Sequence, residues 1–398
     1  MNKIKTEFLI IGTGILGLAV AKALKKRFKN SKITVIDKEK EVAQHASGRN
    51  SGVIHAGFYY SADSLKAKFT RRGNIELTEF CEKKGLKINK NGKVVVTKGE
   101  NELETLFELK KRGDLNGVPL EIINTKKLKH LEPYAKTYKY ALWSPTTATI
   151  NPLEVCLALK EELTEKGINF LFNTPYELVI NDKTIKAGEY EITYEILINC
   201  SGLYADKIAK DFGKAQDYVI IPFKGVYLEY TGNNLEIKRN IYPIPKLENP
   251  FLGVHYTVLV NGKVKLGPTA IPSFWRENYN GLKNFSFEEL MQILYWELIL
   301  FLTNKSNFRK LALEEFRKYW KPFLQKQAEL ISQNVNVKLF KKWSKPGIRA
   351  QLLNVRTKEL VMDFVVEKGD NDIHILNAVS PAFTASFPFT RWIVEKFI

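Results

Sequence analysis

Phe8-Leu9-Ile10-Ile11-Gly12-Thr13-Gly14-Ile15-Leu16-Gly17 constrains the fold more than any other stretch of this 398-residue chain. Four apolar residues suited to a buried strand run into a GxGxxG turn, and an apolar helix is predicted from Leu18 to near Phe28. Gly12 permits the tight turn and Gly14 lets the backbone approach a pyrophosphate. Gly17 lets the helix lie close to the sheet with its N-terminus toward phosphate. A second strand, Ile33-Thr34-Val35-Ile36, ends at Asp37, about 20 residues on, where a carboxylate reaches a ribose hydroxyl. Strand, turn, helix, strand and acid in register predict a dinucleotide-binding βαβ unit. The motif alone does not separate FAD from NAD.

Three later segments point to a flavin. The run Ala46-Ser47-Gly48-Arg49-Asn50-Ser51-Gly52-Val53-Ile54-His55-Ala56-Gly57 packs small residues around His55, so Ser47, Asn50, Ser51 and Gly52 are candidate cofactor contacts and His55 a candidate for chemistry. Ile196-Leu197-Ile198-Asn199-Cys200-Ser201-Gly202 returns the chain to a nucleotide-type sheet, adding Ser201 and Gly202. Near the end, a strand at Ile373–Asn377 precedes Ser380-Pro381, which is expected to cap a last helix opening at Ala382-Phe383-Thr384. A helix N-terminus carries about half a positive charge, which favours a reduced, anionic flavin at Ser380, Pro381 and Thr384. The ordinary alternative is a last helix that only packs on the domain.

Composition narrows the class. A chain of this length with 44% hydrophobic residues can bury a large core and is expected to hold two domains. Cys81, Cys156 and Cys200 are too scattered for a metal pair or a disulfide framework, and no zinc-ligand cluster is visible. With no signal-like leader ahead of the first strand and no apolar run near the roughly 20 residues of a membrane span, a cytoplasmic protein is expected. The net charge of +18 comes from lysines spread along the whole chain. It attracts anionic substrates and membranes, but no RNP-like aromatic signature or basic tail supports nucleic-acid binding.

Further along, helix is expected from Ser64 to Lys84, and strands at Lys93–Thr97 and Leu120–Ile123. Asn151-Pro152-Leu153-Glu154 is a strong helix start. From Val219 to Ile271 the pattern is strand-rich, a candidate substrate sheet that includes Phe251–Tyr256. Ser286-Phe287-Glu288-Glu289 reads as a capping box for an apolar helix, followed by a basic, aromatic helix from about Asn307 to Gln327. A helical cap is the plain reading of 286–327. Its apolar run beside Phe308-Arg309-Lys310 and Arg317-Lys318-Tyr319-Trp320-Lys321 also suits peripheral contact with the inner face of a membrane.

Taken in order, these motifs resemble the L-2-hydroxyglutarate oxidase/dehydrogenase family of the D-amino-acid-oxidase-like FAD-dependent oxidoreductases. The resemblance runs over essentially the whole chain. It rests on the segments above with Pro222-Phe223-Lys224-Gly225, Ile241-Tyr242-Pro243-Ile244-Pro245, Phe251-Leu252-Gly253-Val254-His255, Gly347-Ile348-Arg349-Ala350-Gln351 and Asn377-Ala378-Val379-Ser380-Pro381-Ala382. It implies a mixed α/β fold: a Rossmann-like FAD-binding domain of the D-amino-acid-oxidase/glutathione-reductase type, with an inserted antiparallel-sheet substrate domain. The expected cofactor domain is discontinuous, 1–84, 145–215 and 345–398, and the substrate domain with its helical cap is 85–144 and 216–344.

The implied reaction oxidises the C2 hydroxyl of L-2-hydroxyglutarate to 2-oxoglutarate, hydride passing to FAD and electrons on to oxygen or a membrane quinone. Two departures stand out, Arg49 where the family is expected to place histidine and Lys224 where it places arginine. Lysine keeps the charge but loses the bidentate fork. A hydroxy diacid needs cations for two carboxylates and a base near its hydroxyl. His55 is the first candidate base and His255 the second. Arg349 is the best carboxylate clamp, with Lys224 and Tyr242 as further substrate contacts; a surface salt bridge is the ordinary alternative for Arg349. No cysteine lies near the C-terminal flavin segment, so FAD is expected to be held non-covalently. Another amine, 2-hydroxy-acid or glycerol-3-phosphate oxidoreductase of the superfamily stays in play, as does a non-enzymatic nucleotide- or RNA-binding module.

Overall fold

The chain is described by a computed structural model covering residues 2–233, 235–247 and 251–398. It divides into two units: unit 1 is Met1–Asn50, Pro152–Pro222 and Arg349–Ile398, and unit 2 is Ser51–Asn151 and Phe223–Ile348.

Unit 1 grows from the glycine turn. Phe8–Ile11 and Ile33–Ile36 are buried at every position and pair in parallel, the pattern of strands covered on both faces. The six-stranded sheet runs Asn169–Leu171, Ile33–Ile36, Phe8–Ile11, Ile196–Asn199, Asp372–Asn377 and an antiparallel edge, Val365–Lys368. The helix Ile15–Arg27 packs against Pro152–Glu165 and the last helix, Ala382–Phe397. A four-stranded sheet, Asn2–Lys5, Tyr190–Thr193, Thr184–Ala187 and Tyr176–Asn181, shares a core with the larger one through Leu9, Ile36, Ile185, Ile192 and Leu197.

Unit 2 is built on an eight-stranded sheet in which Lys93–Val96 and Asn240–Pro243 pair in parallel and every other pair is antiparallel. Alternation along the two parallel strands sorts their side chains. Val94, Val96 and Ile241 enter one core with Tyr256, Leu324 and Phe340, whereas Val95 and Tyr242 join Phe58, Tyr59, Leu106 and Leu109 on the opposite face.

Several local features differ in detail from the expectations. Residues 51–84 and 145–151 cluster with unit 2, because Leu65–Lys83 packs on the small sheet Val53–Ile54, Ala148–Ile150 and Ile88–Asn89. The basic stretch after Asn307 forms two helices, Phe308–Arg317 and Lys321–Glu329; Pro322 opens the second, and Lys318 turns back to form a buried ion pair with Glu315. The box at 286–289 closes on one side only. Ser286 Oγ accepts from the Glu289 N–H, but the Glu289 carboxylate accepts the Arg276 N–H at 2.9 Å. The strand expected at Phe251–Tyr256 occupies His255–Val258. The last helix takes Pro381, not Ser380, as its N-cap.

Candidate active site

The nucleotide cradle in unit 1 is steric first. Gly12 has φ 106°, and a Cβ there would lie 2.6 Å from the Cys200 carbonyl oxygen. A Cβ on Gly17 would lie 1.9 Å from the Gly12 oxygen. Only glycine at both places lets the turn fold flat against the sheet. Gly14 is the extended N-cap of Ile15–Arg27 and offers no side chain of its own, so the helix start presents backbone to a ligand. Ser47, from the turn Ala46–Gly48, accepts the Ile15 N–H at 2.9 Å, which places its hydroxyl at that helix start.

Asp37 is more committed than the sequence suggests. One carboxylate oxygen accepts the Thr13 N–H at 2.7 Å and the Thr13 hydroxyl, and the other accepts the Glu39 N–H at 2.9 Å. A carboxylate has about four lone-pair sites. Two tie the glycine turn to the second strand, a third holds the Glu39 N–H two residues on, and the fourth could serve a ribose hydroxyl.

Asn50 spends its amide on the carbonyls of Ala46 and Ser47 and so shapes the turn. Ser201 donates to Asn199 Oδ1, and Gly202 sits at φ 58°. Behind them lies a set that sequence reasoning missed. The Asn199 amide donates to Ala205 O and to His374 Nδ1 at 3.1 Å, and His374 Nε2 faces Asp372 at 2.8 Å. The Asn199↔His374 register of paired strands makes this possible, and no one-dimensional motif carries it. At the C-terminal helix, Thr384 is buried and Ser380 exposed, and no side chain caps the Pro381 start. These elements fit FAD: a flat glycine turn, two helix starts whose N-caps make no side-chain cap bond, and one remaining acceptor for ribose.

In unit 2, His55 follows the Val53–Ile54 strand. Its carbonyl accepts the Asn74 amide at 3.1 Å, and the same amide donates to Thr146 O. Asn116 holds the next turn through Gly57 O and Tyr60 O, and Arg112 donates to Tyr59 O. The His55 Nδ1 is shielded from solvent. Desolvation and the nearby Lys93 charge hold the imidazole down to about 3, neutral at any working pH.

His255 is buried and donates Nδ1–H to Gly253 O at 2.7 Å, which makes Nε2 its basic nitrogen. Its ring stacks on Tyr242 at 3.7 Å, and Tyr227 meets it edge-on at 6.5 Å. Burial raises the Tyr242 phenol, keeping it a hydrogen-bond donor. Thus Tyr242 stacks on His255 and lies beside Lys93, whose Nζ is 4.2 Å from the Tyr242 ring centre and whose charge acts on His55.

Lys224 stands on the strand Tyr218–Gly225, donates to Asn278 Oδ1 at 3.1 Å, and is lowered by burial. Arg349, half-buried on Gly347–Asn354, opens the last segment of unit 1. Sequence reasoning missed Lys93, Tyr59 and Tyr227. A signal existed for the first: a lysine at the head of an otherwise apolar run, Lys93-Val94-Val95-Val96, buried at every position.

Residues 7–395 match the model of the family described as FAD dependent oxidoreductase. The chain therefore belongs to the FAD-dependent oxidoreductases, as the cradle indicates. Solved structures of similar fold include the dithionite-reduced L-α-glycerophosphate oxidase of Mycoplasma pneumoniae with FAD bound, with a TM-score of 0.76 at 21% identity, covering 98% of this chain and 94% of that one. The glycine oxidase of Bacillus cereus has a TM-score of 0.69 at 15% identity, covering 98% and 95%. Among curated relatives, the human mitochondrial L-2-hydroxyglutarate dehydrogenase is 34% identical over 98% of this chain and 88% of its own. The L-2-hydroxyglutarate dehydrogenase of Indibacter alkaliphilus is 36% identical over 98% and 99%. Within its class the chain belongs to the L-2-hydroxyglutarate dehydrogenase family.

Proposed function

We propose that this protein oxidises the C2 hydroxyl of L-2-hydroxyglutarate to 2-oxoglutarate. Family membership supports the substrate, and the observation that supports the chemistry is the imidazole of His55, whose Nδ1 is shielded from solvent and which is held neutral in part by the charge of Lys93, a buried cation set against the Tyr59 and Tyr242 rings. FAD, when bound, accepts the hydride. His55 takes the hydroxyl proton as C2 loses hydride, with His255 Nε2 as the second candidate. Arg349, Lys224 and Tyr242 bind the carboxylates and orient C2, Arg349 through its planar fork and Lys224 as a point charge steadied by Asn278.

On the cofactor side, Gly12, Gly14 and Gly17 with Ser47 hold the pyrophosphate, and Asp37 the ribose. Asn50, Ser51, Gly52, Ser201, Gly202, Ser380, Pro381 and Thr384 line the remainder. Attachment is non-covalent: burial pushes the Cys81 thiol up to about 12 and raises Cys156 and Cys200 too, so none is a ready nucleophile. Yellow colour released on acid precipitation is the expected result; colour retained in the pellet would refute it.

The segment 286–327 is proposed as a peripheral membrane contact. Phe287, Met291, Tyr295, Leu298 and Leu302 are exposed on Phe287–Thr303, and Leu313 and Phe316 on the next helix. Exposed Arg309, Lys310 and Arg317 accompany them, the composition of a surface that binds anionic lipid. No helix among the described residues is long and apolar enough to cross a membrane. Such a contact favours a membrane quinone over oxygen as electron acceptor.

The deciding experiment mixes the holoenzyme anaerobically with L-2-hydroxyglutarate, D-2-hydroxyglutarate, L-lactate, glycerol 3-phosphate and sarcosine. Bleaching of the flavin by the L-diacid alone is expected; bleaching by another of the five would move the substrate elsewhere in the superfamily.

A further inference from the structure

Lys93 is fully buried, and its ammonium has no hydrogen-bond partner among the described residues. It lies among three rings, with Nζ 4.2 Å from the centre of Tyr242, 5.0 Å from Tyr59 and 5.6 Å from Phe58. Ring faces recover part of the cost of removing a cation from water, but an anion recovers far more. The Tyr59 hydroxyl, on the same wall, is also buried without a partner among the described residues. Two unsatisfied donors, one charged, therefore lie in one buried aromatic cluster, and the charge of its cation acts on His55. Isolated buried charges are rare unless a ligand or a reaction employs them.

We propose that Lys93 Nζ and Tyr59 Oη form an anion subsite that takes one carboxylate of the substrate. The assignment rests on the dicarboxylate reading above and deepens it. An ammonium and a phenol O–H provide one donor for each carboxylate oxygen. The register explains the placement. Lys93 pairs with Asn240, and Tyr242 lies two residues further along that strand on the face Lys93 shares.

The subsite also acts on the base. The Lys93 charge is one of the two causes that hold His55 down. A carboxylate on Lys93 cancels that charge and returns basicity to His55 as the substrate arrives. The titratable groups around the ammonium are His55, Tyr59 and Tyr242, with Tyr60, Tyr227 and His255 against that tyrosine pair. No carboxylate pairs with Lys93 among the described residues, so its proton depends on the ligand.

The test is titration of the holoenzyme with glutarate and with pentanoate, its monocarboxylate counterpart, followed by the flavin spectrum. Loss of one charge-assisted pair is worth about 30-fold in affinity. Lys93→Met is expected to weaken glutarate by about that factor and pentanoate far less. Tyr59→Phe removes a hydroxyl that bonds nothing among the described residues, so it leaves the fold intact and is expected to weaken glutarate several-fold. Melting of the ligand-free proteins separates a ligand site from a strut. A cation that only braces three rings would make Lys93→Met less stable, whereas a cation awaiting an anion makes it more stable. A glutarate-to-pentanoate preference within threefold of the parent in both variants, or a lower ligand-free Tm for Lys93→Met, would overturn the assignment. A parent protein that binds glutarate but is not bleached by L-2-hydroxyglutarate would overturn the substrate reading and leave the subsite standing.

Discussion

At the scale of the residue, the proposed chemistry rests on desolvation. His55 is kept neutral and Lys93 is lowered to about 7, the second by burial alone. The sign of the linkage for Lys93 is definite. Its folded value lies below the unfolded one, so between pH 7 and 10 the unfolded chain binds more protons and the ligand-free protein gains stability as pH rises. This gain is expected to shrink in Lys93→Met, as paired melting curves at pH 7 and 9 would reveal. Carboxylate binding needs the protonated amine, so glutarate affinity is expected to fall by about tenfold per pH unit above 7 in the parent and to lose that slope in the variant. Replacing His55 by Ala is expected to leave FAD bound and to slow anaerobic flavin reduction by about 100-fold or more, as loss of a positioned base does. Unchanged reduction would transfer the role to His255. Arg349→Leu should act on substrate affinity and spare cofactor content, which a KM measurement beside a flavin-to-protein ratio decides.

At the scale of the element, the glycine turn and the 286–327 helices differ in what their residues need. The turn is an exclusion argument. A methyl group on Gly12 has the Cys200 carbonyl 2.6 Å away and one on Gly17 the Gly12 carbonyl 1.9 Å away. Gly17→Ala is accordingly expected to yield protein with little or no flavin, read from the absorbance ratio at 450 and 280 nm. The helices present the opposite case, apolar side chains the fold leaves uncovered. Leu298 is 55% and Phe316 67% exposed. Burying one such side chain in lipid is worth about 1.5–3 kcal/mol, so Leu298→Glu with Phe316→Glu should lower binding to anionic vesicles by at least about tenfold. Equal flotation of parent and variant with vesicles would remove the membrane from the account.

At the scale of the whole molecule, the glycine turn lies in unit 1 and the aromatic cluster in unit 2. The Rossmann-type sheet was readable because its signals are local: an apolar run, glycines at fixed spacing and an acid at the end of the next strand. The role of Asp37 was only half readable, since its three contacts to Thr13 and Glu39 depend on how the turn folds back. Residues 51–84 looked continuous with the cofactor domain because helix follows motif without a break, yet the small sheet at Val53–Ile54 draws them into unit 2.

Periodicity, glycine spacing and capping chemistry act between neighbours, and they suffice for a dinucleotide-type fold and a strand-rich insertion, whereas the candidacy of His255, Tyr242, Lys224 and Arg349 comes from the family resemblance and the needs of a hydroxy diacid. Long-range packing alone puts Lys93, 38 positions from His55 in the sequence, among buried aromatic rings from which its charge acts on that histidine. A lysine in a strand is ordinarily a solvated edge, and the apolar run that Lys93 heads shows only that the strand is buried, not what its lysine faces. Its burial follows from the parallel pairing of Lys93–Val96 with Asn240–Pro243, a contact between segments almost 150 residues apart whose register sets which side chains share a face.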